Sequence, residues 1–379
     1  STEPAAIVFT SGSTGLPKGV VYTHRILSSQ IAFLRDHFGI NPGEVNLATF
    51  PLFALFDPAL KMTTIFPNMD FSRPVRANPS EIIRTIKTHQ VTHMFGSPAL
   101  LRRVGLYGKK KGVKLPTLKR VLSAGAPVPI TVLRHIGEML GPDADVHTPY
   151  GATEALPVCS ISSQEVLKEE EGRSQGKGVC VGRPIVGIQL VVIRITDDPI
   201  LRWSDDLRVS EGEIGELVVW GPNVSCEYWD NKKANQQAKI QNVDQEIRHR
   251  MGDVGYLDSD GRVWFCGRKS HRVITSSGTL FTVSCEGIYN QHPAVYRSAL
   301  VGVGQFPNQL PVLCVELENK KKWKGSDSLK KEILDLGANV SQTAQIHTLL
   351  FHADFPVDSR HNAKIFREKL ASWAEGQLL

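Results

Sequence analysis

Short apolar runs alternate with amphipathic stretches through the first part of the chain, a pattern that predicts strands and helices in turn. Residues 7–9 (Ile-Val-Phe) read as a buried strand, and residues 91–95, 118–122 and 146–150 as further strands. Residues 24–37 bring Ile26, Ile31, Leu34 and Phe38 near helical spacing, and residues 79–89 form a second helix with Ser80 as its N-cap. Each strand runs into a loop of glycine, serine and proline. In an open α/β sheet, ligands gather outside the carboxyl ends of the strands, so these loops can converge on one site. Residues 164–177 are polar, with the acidic run Glu169-Glu170-Glu171, and read as an exposed insertion. From residue 182 to 264 short strands (189–193, 216–220) between Gly/Pro turns predict a small β-rich subdomain. A third region opens near Arg268 with strands at 272–275, 297–303 and 311–317 and ends in a helix over 365–375.

Composition narrows the class. The chain has 379 residues, 41% hydrophobic and 22% charged, which suits a soluble protein of two or three domains. Its net charge of +6 comes without a basic cluster interleaved with aromatics, so a nucleic-acid partner is not expected; Lys109-Lys110-Lys111 reads as a solvated loop. The six cysteines are scattered without a CxxC pair, as in a reducing, cytoplasmic compartment. No apolar run is long enough to span a bilayer. The first residue is Ser1 and a ligand-loop strand follows at once, so the chain is expected to be the C-terminal portion of a longer protein.

The strongest chemical signal is the loop Thr10-Ser11-Gly12-Ser13-Thr14-Gly15-Leu16-Pro17-Lys18-Gly19. Glycines let backbone N–H groups approach an anion, the hydroxyls add donors, and Lys18 adds a positive charge. It is a polyphosphate cradle, and the Leu16-Pro17 spacer separates it from the Walker pattern. A flexible Ser/Gly linker is the alternative, but linkers rarely join a strand, a lysine and a β-branched exit strand.

Three further groups look chemical. In Tyr150-Gly151-Ala152-Thr153-Glu154 the aromatic ring can stack on a purine, Thr153 can donate to a phosphate and Glu154 can hold a divalent cation. Alone this is as readily a plain turn; beside the first loop it gains weight. Asp253, in Gly252-Asp253-Val254-Gly255-Tyr256, can accept from both ribose hydroxyls or merely cap a turn, and Arg268 follows within reach of the same sugar. Lys364, in His361-Asn362-Ala363-Lys364-Ile365, opens the last helix and by itself reads as a surface lysine.

In this order the motifs resemble the adenylate-forming superfamily of acyl-CoA synthetases, peptide-synthetase adenylation domains and luciferases, over essentially the whole chain. The resemblance implies an α/β fold. Residues 1–268 would be the C-terminal portion of a large AMP-binding domain, sheets flanked by helices plus the small β-rich subdomain. Residues 269–379 would be a small α+β lid, with the hinge at about Lys269–Ser270. It also implies ATP and Mg²⁺ as cofactors. Thr10, Ser11, Gly12, Ser13, Thr14, Gly15 and Lys18 would grip the β- and γ-phosphates. Gly125, Ala126, Pro127 and Tyr150, with Gly151, would bracket adenine. Thr153 would contact the α-phosphate and Glu154 would hold Mg²⁺. Asp253 and Arg268 would bind ribose, and Lys364 would be the catalytic lysine.

Two departures narrow the resemblance. Ala363 stands where most members have glycine, and residues 275–282 replace the Gly-rich stretch that helps form a pantetheine channel, which argues against CoA as acceptor. With Phe50-Pro51-Leu52-Phe53-Ala54-Leu55-Phe56-Asp57-Pro58 and Trp264-Phe265-Cys266-Gly267-Arg268-Lys269, the chain is similar to the β-lactone synthetases of bacterial long-chain olefin biosynthesis. That implies adenylation of a 2-alkyl-3-hydroxy fatty acid followed by intramolecular attack of its 3-hydroxyl. It also implies assembly with thiolase-like, reductase and decarboxylase enzymes of the pathway. Residues 53–56 are then a wall for alkyl chains or ordinary core. A fatty-acyl-CoA or acyl-AMP ligase and a non-catalytic nucleotide-binding module are the competing readings.

Overall fold

The computed structural model describes residues 1–10, 17–169, 175–242, 246–319, 325–357 and 364–379. Five short strands form a parallel sheet in the order Thr63–Ile65, Val45–Ala48, His93–Phe95, Arg120–Leu122, Asp145–His147. Parallel strands need both faces covered. The helices Pro79–Thr88, Pro98–Lys111 and Ile130–Gly137 cover one face, where Leu47, Met94, Val121 and Val146 meet Ile82, Leu101, Leu133 and Ile136 in a dense core. The helix His24–Phe38 covers the other, capped by Thr23 and stopped by Gly39 at φ 61°.

That second face is graded. Successive side chains of a strand alternate in facing, and the register puts Asn46, His93 and Arg120 in one row and Ala48, Phe95 and Leu122 in the next, toward the carboxyl ends. The row nearer the amino ends is therefore polar and the row nearer the carboxyl ends apolar. Arg120 is paired with Glu44, both buried. His93 is buried and held neutral, its pKa pushed down to about 3 mainly by burial and then by Arg120.

An eight-stranded antiparallel sheet runs Gln189–Ile193, Gly215–Trp220, Ile247–Leu257, Val263–Arg268, Val179–Pro184, Ala155–Ser160, Tyr150–Ala152, with Lys239–Gln241 on the third strand. It is more than a separate subdomain beyond residue 182, because it takes in the Tyr150 strand. At its centre Glu216 Oε2 accepts from Arg250 Nη2 at 2.6 Å and Nε at 3.1 Å and from Lys269 Nζ at 3.1 Å. Arg250 spends its other donors on the carbonyls of Thr196, Asp198 and Gln237.

The C-terminal region pairs Val295–Val303 antiparallel with Leu310–Leu317, and Thr348–Phe351 parallel with the latter. Thr282–Tyr289 and Asp327–Ala338 pack on one face and Arg367–Leu378 on the other. Arg367 makes a two-pronged pair with Glu286, Nη1–Oε1 at 2.6 Å and Nη2–Oε2 at 2.9 Å.

Several sequence expectations shift. The first strand, Pro4–Phe9, is exposed rather than buried: it pairs only with Gly19–Thr23, and Phe9 keeps 67% of its surface. The strand expected over 146–150 breaks at Thr148-Pro149 into Asp145–His147 and Tyr150–Ala152, which lie in different sheets. The insertion expected over 164–177 contains the helix Ser163–Lys168, closed by a capping box from Ser162 and Glu165 with Val166 buried; Glu169 pairs with Arg262. Asn78, not Ser80, caps the second helix, its side chain accepting from Ser80 N. Lys109, Lys110 and Lys111 end the helix Pro98–Lys111 instead of lying in a loop, where they complement its dipole. The last helix begins at Arg367.

Two outcomes follow. Glu216→Gln strands the buried Arg250 and the half-buried Lys269 and should cost about 3–5 kcal/mol in urea unfolding. His93, with a folded pKa near 3 below its unfolded value near 6.5, binds a proton only on unfolding within that window. Its contribution is complete above pH 6.5 and is lost as pH falls toward 3, so the wild type should lose more unfolding free energy than His93→Leu between pH 7.5 and 5.

Candidate active site

Loops at the carboxyl ends of the parallel strands face the edge of the antiparallel sheet. The Arg120–Leu122 strand leads into Ser123, whose N–H donates to His147 O at 2.9 Å, and the chain turns at Gly125 with φ 93° before Ala126 and Pro127. The neighbouring strand leads into Tyr150–Glu154. A Cβ on Gly151 would lie 2.5 Å from Ala155 O, so only glycine closes this turn.

Tyr150 is fixed by its hydroxyl, which donates to Asp253 Oδ2 at 2.6 Å. Asp253 and Arg268 are direct partners on adjacent strands. Arg268 Nη1 lies 3.1 Å from Asp253 Oδ1 as a charge contact, while its N–H points to Met251 O at 3.2 Å; Oδ1 is buried and has no hydrogen-bond donor among the described residues. Burial raises the Asp253 pKa, against the opposing pull of Arg268 and the Tyr150 bond. A buried carboxylate oxygen short of a donor fits a sugar hydroxyl.

The Thr153–Glu154 turn is held from three segments. Tyr22 Oη donates to Thr153 O at 2.6 Å, Ser225 N to Glu154 O at 2.8 Å, and Tyr228 Oη to Glu154 Oε1 at 2.7 Å. Lys18 Nζ stands 5.1 Å from the centre of the Tyr228 ring, so one tyrosine links the lysine of the first loop to Glu154. Thr10 closes the base of that loop: its N–H donates to Lys18 O at 2.9 Å and its Oγ1 accepts from Lys18 N at 3.1 Å. Ser11, Gly12, Ser13, Thr14 and Gly15 lie outside the described residues. One carboxylate beside a phosphate loop fits Mg²⁺, which usually takes one or two carboxylates and completes its shell with phosphate and water.

Lys364 is half-buried. It acts electrostatically on His271, as do Arg367 and Arg268, and so lies toward the Arg268 side of the structure. The bridge between Val357 and Ile365 and the Arg367–Glu286 pair hold the backbone around it. His361, Asn362 and Ala363 lie outside the described residues.

Sequence reasoning passed over Tyr22, Tyr228 and Lys239. Lys239 is buried beside the Tyr228 ring, 5.2 Å from its centre, and donates to Ser225 O at 2.5 Å and Oγ at 2.9 Å. Burial lowers its pKa to about 7. Nothing in its local sequence, a polar helix end, marks it.

Beside the Tyr150–Glu154 turn opens a largely apolar cavity. Phe53 and Phe56 line it, whereas Leu55 points out at 72% exposure, so residues 53–56 are only in part a cavity wall.

If Asp253 holds a ribose, Asp253→Asn loses a charged acceptor, worth about 1.5–3 kcal/mol per hydrogen bond. ATP affinity in calorimetry should then fall by roughly ten- to a hundredfold.

Residues 1–229 match the AMP-binding enzyme family. The olefin β-lactone synthetase of Xanthomonas campestris pv. campestris is 46% identical, aligned over 99% of this chain and 67% of its own. That of Stenotrophomonas maltophilia is also 46% identical, over 99% and 68%. The O-succinylbenzoate coenzyme A synthetase of Bacillus subtilis, solved with ATP and magnesium ion, superposes with a TM-score of 0.76 at 21% identity, over 97% of this chain and 70% of its own. Among the described residues no helix is long and apolar enough to cross a membrane. The chain therefore belongs to the AMP-binding enzyme family, with the olefin β-lactone synthetases as its kin within that family.

Proposed function

We propose that this protein uses MgATP to activate a 2-alkyl-3-hydroxy fatty acid as an acyl adenylate and closes it to a β-lactone, releasing AMP and pyrophosphate. The observation that carries the reading is the adjacency of an apolar cavity to the turn that bears Tyr150, Thr153 and Glu154: its lining includes Pro149 and Leu156, on either side of that turn. A long-chain acid seated there brings its carboxylate to the nucleotide.

Two anions must meet in the first step, as a carboxylate oxygen bonds to the α-phosphorus and pyrophosphate leaves. Lys18, Lys364 and the N–H groups of the first loop offset that repulsion, and Thr153 donates to the α-phosphate. Asp253, Arg268 and Tyr150 orient the nucleoside. Mg²⁺ held by Glu154 would neutralise phosphate charge. In the second step the substrate's own 3-hydroxyl oxygen bonds to the acyl carbon, the acyl–O–phosphate bond breaks and AMP departs; the hydroxyl proton passes to a base. Intramolecular attack makes an external thiol unnecessary, and the mixed anhydride supplies the energy that ring strain demands. The residues that replace the Gly-rich channel segment form a tight hairpin, Val273–Thr275 with Gly278–Leu280, closed by Ser277 N donating to Thr275 Oγ1 at 3.1 Å. On this reading residues 1–268 belong to the nucleotide-binding domain and 269–379 to a lid. The protein would work in the cytoplasm beside enzymes that make the hydroxy acid and decarboxylate the lactone.

The full-length protein, given a 2-alkyl-3-hydroxy acid and MgATP, should form lactone and AMP by mass spectrometry without CoA. An acyl-CoA product seen only when CoA is added would overturn the reading. Lys364→Ala should slow adenylation by roughly 10²–10³-fold while leaving ATP binding near wild type.

A further inference from the structure

The cavity beside the Tyr150–Glu154 turn has two unlike ends. Toward the carboxyl ends of the strands it is walled by Leu34, Phe53, Phe56, Phe95 and Leu122. One row deeper it meets Asn46 and His93, which the register places side by side. Same-face rows on a strand are about 6.5–7 Å apart, so this polar row sits one full step below the apolar one. Asn46 is 4% exposed and His93 6%, and among the described residues neither Asn46 Oδ1 nor His93 Nδ1 has a hydrogen-bond partner. Asp57 also lines the cavity, accepting from Asn46 Nδ2 at 2.8 Å and from Thr64 Oγ1 at 2.6 Å, which fixes the Asn46 amide with Oδ1 left over. In the same row Arg120, paired with Glu44, continues the polar character of the sheet face.

Buried polar atoms are almost always paired, by protein or by ordered water. An apolar chamber ending in two unpaired polar atoms is therefore poor solvent for a hydrocarbon terminus at its base. An alkyl chain gains roughly fourfold in affinity for each methylene it buries in the upper part. A methyl group pressed onto Asn46 and His93 would strip water from both without replacing it, and that gain stops.

We propose that Asn46 and His93 form the floor of an alkyl-chain site and set the length of chain it accepts, refusing longer hydrocarbons by polarity as well as by space. The inference rests on the proposed substrate class and deepens it: one chain of the branched acid occupies the cavity and its terminus stops at the polar row. His93 and Asn46 are specificity-determining residues here, remote from the reacting atoms.

Displacement of a fluorescent fatty acid from the full-length protein reads the floor without turnover. Saturated fatty acids of graded length should bind with rising affinity until the terminus meets the row, and then level off. At that length an ω-hydroxy fatty acid should bind several-fold tighter than its plain counterpart, because its hydroxyl can bridge Asn46 Oδ1 and His93 Nδ1, a pairing that needs both side chains. His93→Leu should abolish the ω-hydroxy preference and carry the rise on to longer chains. His93→Gln, which restores a polar atom, should keep the preference. Asn46→Leu gives a second, independent reading should His93→Leu fold poorly, as a melting curve would reveal. A wild-type affinity that climbs without levelling, or an ω-hydroxy preference that survives in folded His93→Leu or Asn46→Leu protein, overturns the floor. AMP release from 2-alkyl-3-hydroxy acids, measured in parallel, separates the two failures: no AMP with any chain length sinks the substrate class, and AMP without a length effect sinks the floor alone.

Discussion

The carboxylate of Glu216, with one negative charge and two cations upon it, is the contact on which the rest of the site depends. Glu216 is 1% exposed, and burying an ion this deeply is tolerable only when its partners are in place. Its partners come from two places: Arg250 lies three residues before Asp253, and Lys269 directly follows Arg268. The cluster thus pins both strands of the pair that carries the nucleoside contacts. A slip of one residue would put Asp253 and Arg268 on opposite faces and pull Arg250 off its anion. Electrostatics at the centre of the sheet therefore sets the register at its ligand-facing end.

A second constraint comes from how unequally the parallel sheet is covered. One face is packed with aliphatic side chains from three helices. The other meets a single helix and the 50–62 segment, and what those do not fill is the cavity. The same strands thus supply a rigid wall on one side and a binding space on the other, with no separate framework needed for each.

Much of this was legible in the chain. Segments such as Tyr150–Glu154 and Gly252–Arg268 stand out because glycine, hydroxyl, carboxylate and guanidinium groups are concentrated there beyond what a turn needs. The alternation of strands and helices in the first part follows local apolar periodicity. The misreadings have a common cause, in that neighbours distant in sequence decide the outcome. Residues 7–9 are apolar, but only the packing shows that one partner strand borders them. Residues 146–150 are continuous as a pattern, yet Thr148-Pro149 hands the chain from one sheet to another. Tyr22, Tyr228 and Lys239 act through contacts such as Tyr22 with Thr153, 131 positions away, and Tyr228 with Glu154, 74 positions away, which no local window can report. His93 and Asn46 carry no local signal in the sequence, and only the strand register sets them side by side.

The segment leaving Arg268 is tethered twice, with unequal strength. Lys269 is sunk into the Glu216 cluster, while Arg272 reaches Asp197 at 2.9 Å through a carboxylate that is 66% open to solvent. Salt and water screen the outer tether almost entirely and the inner one hardly at all. The contact of Arg272 with Asp197 is therefore released at small cost, while Lys269 keeps its hold on Glu216. Raising ionic strength thus loosens the grip on Arg272 without loosening the sheet beneath.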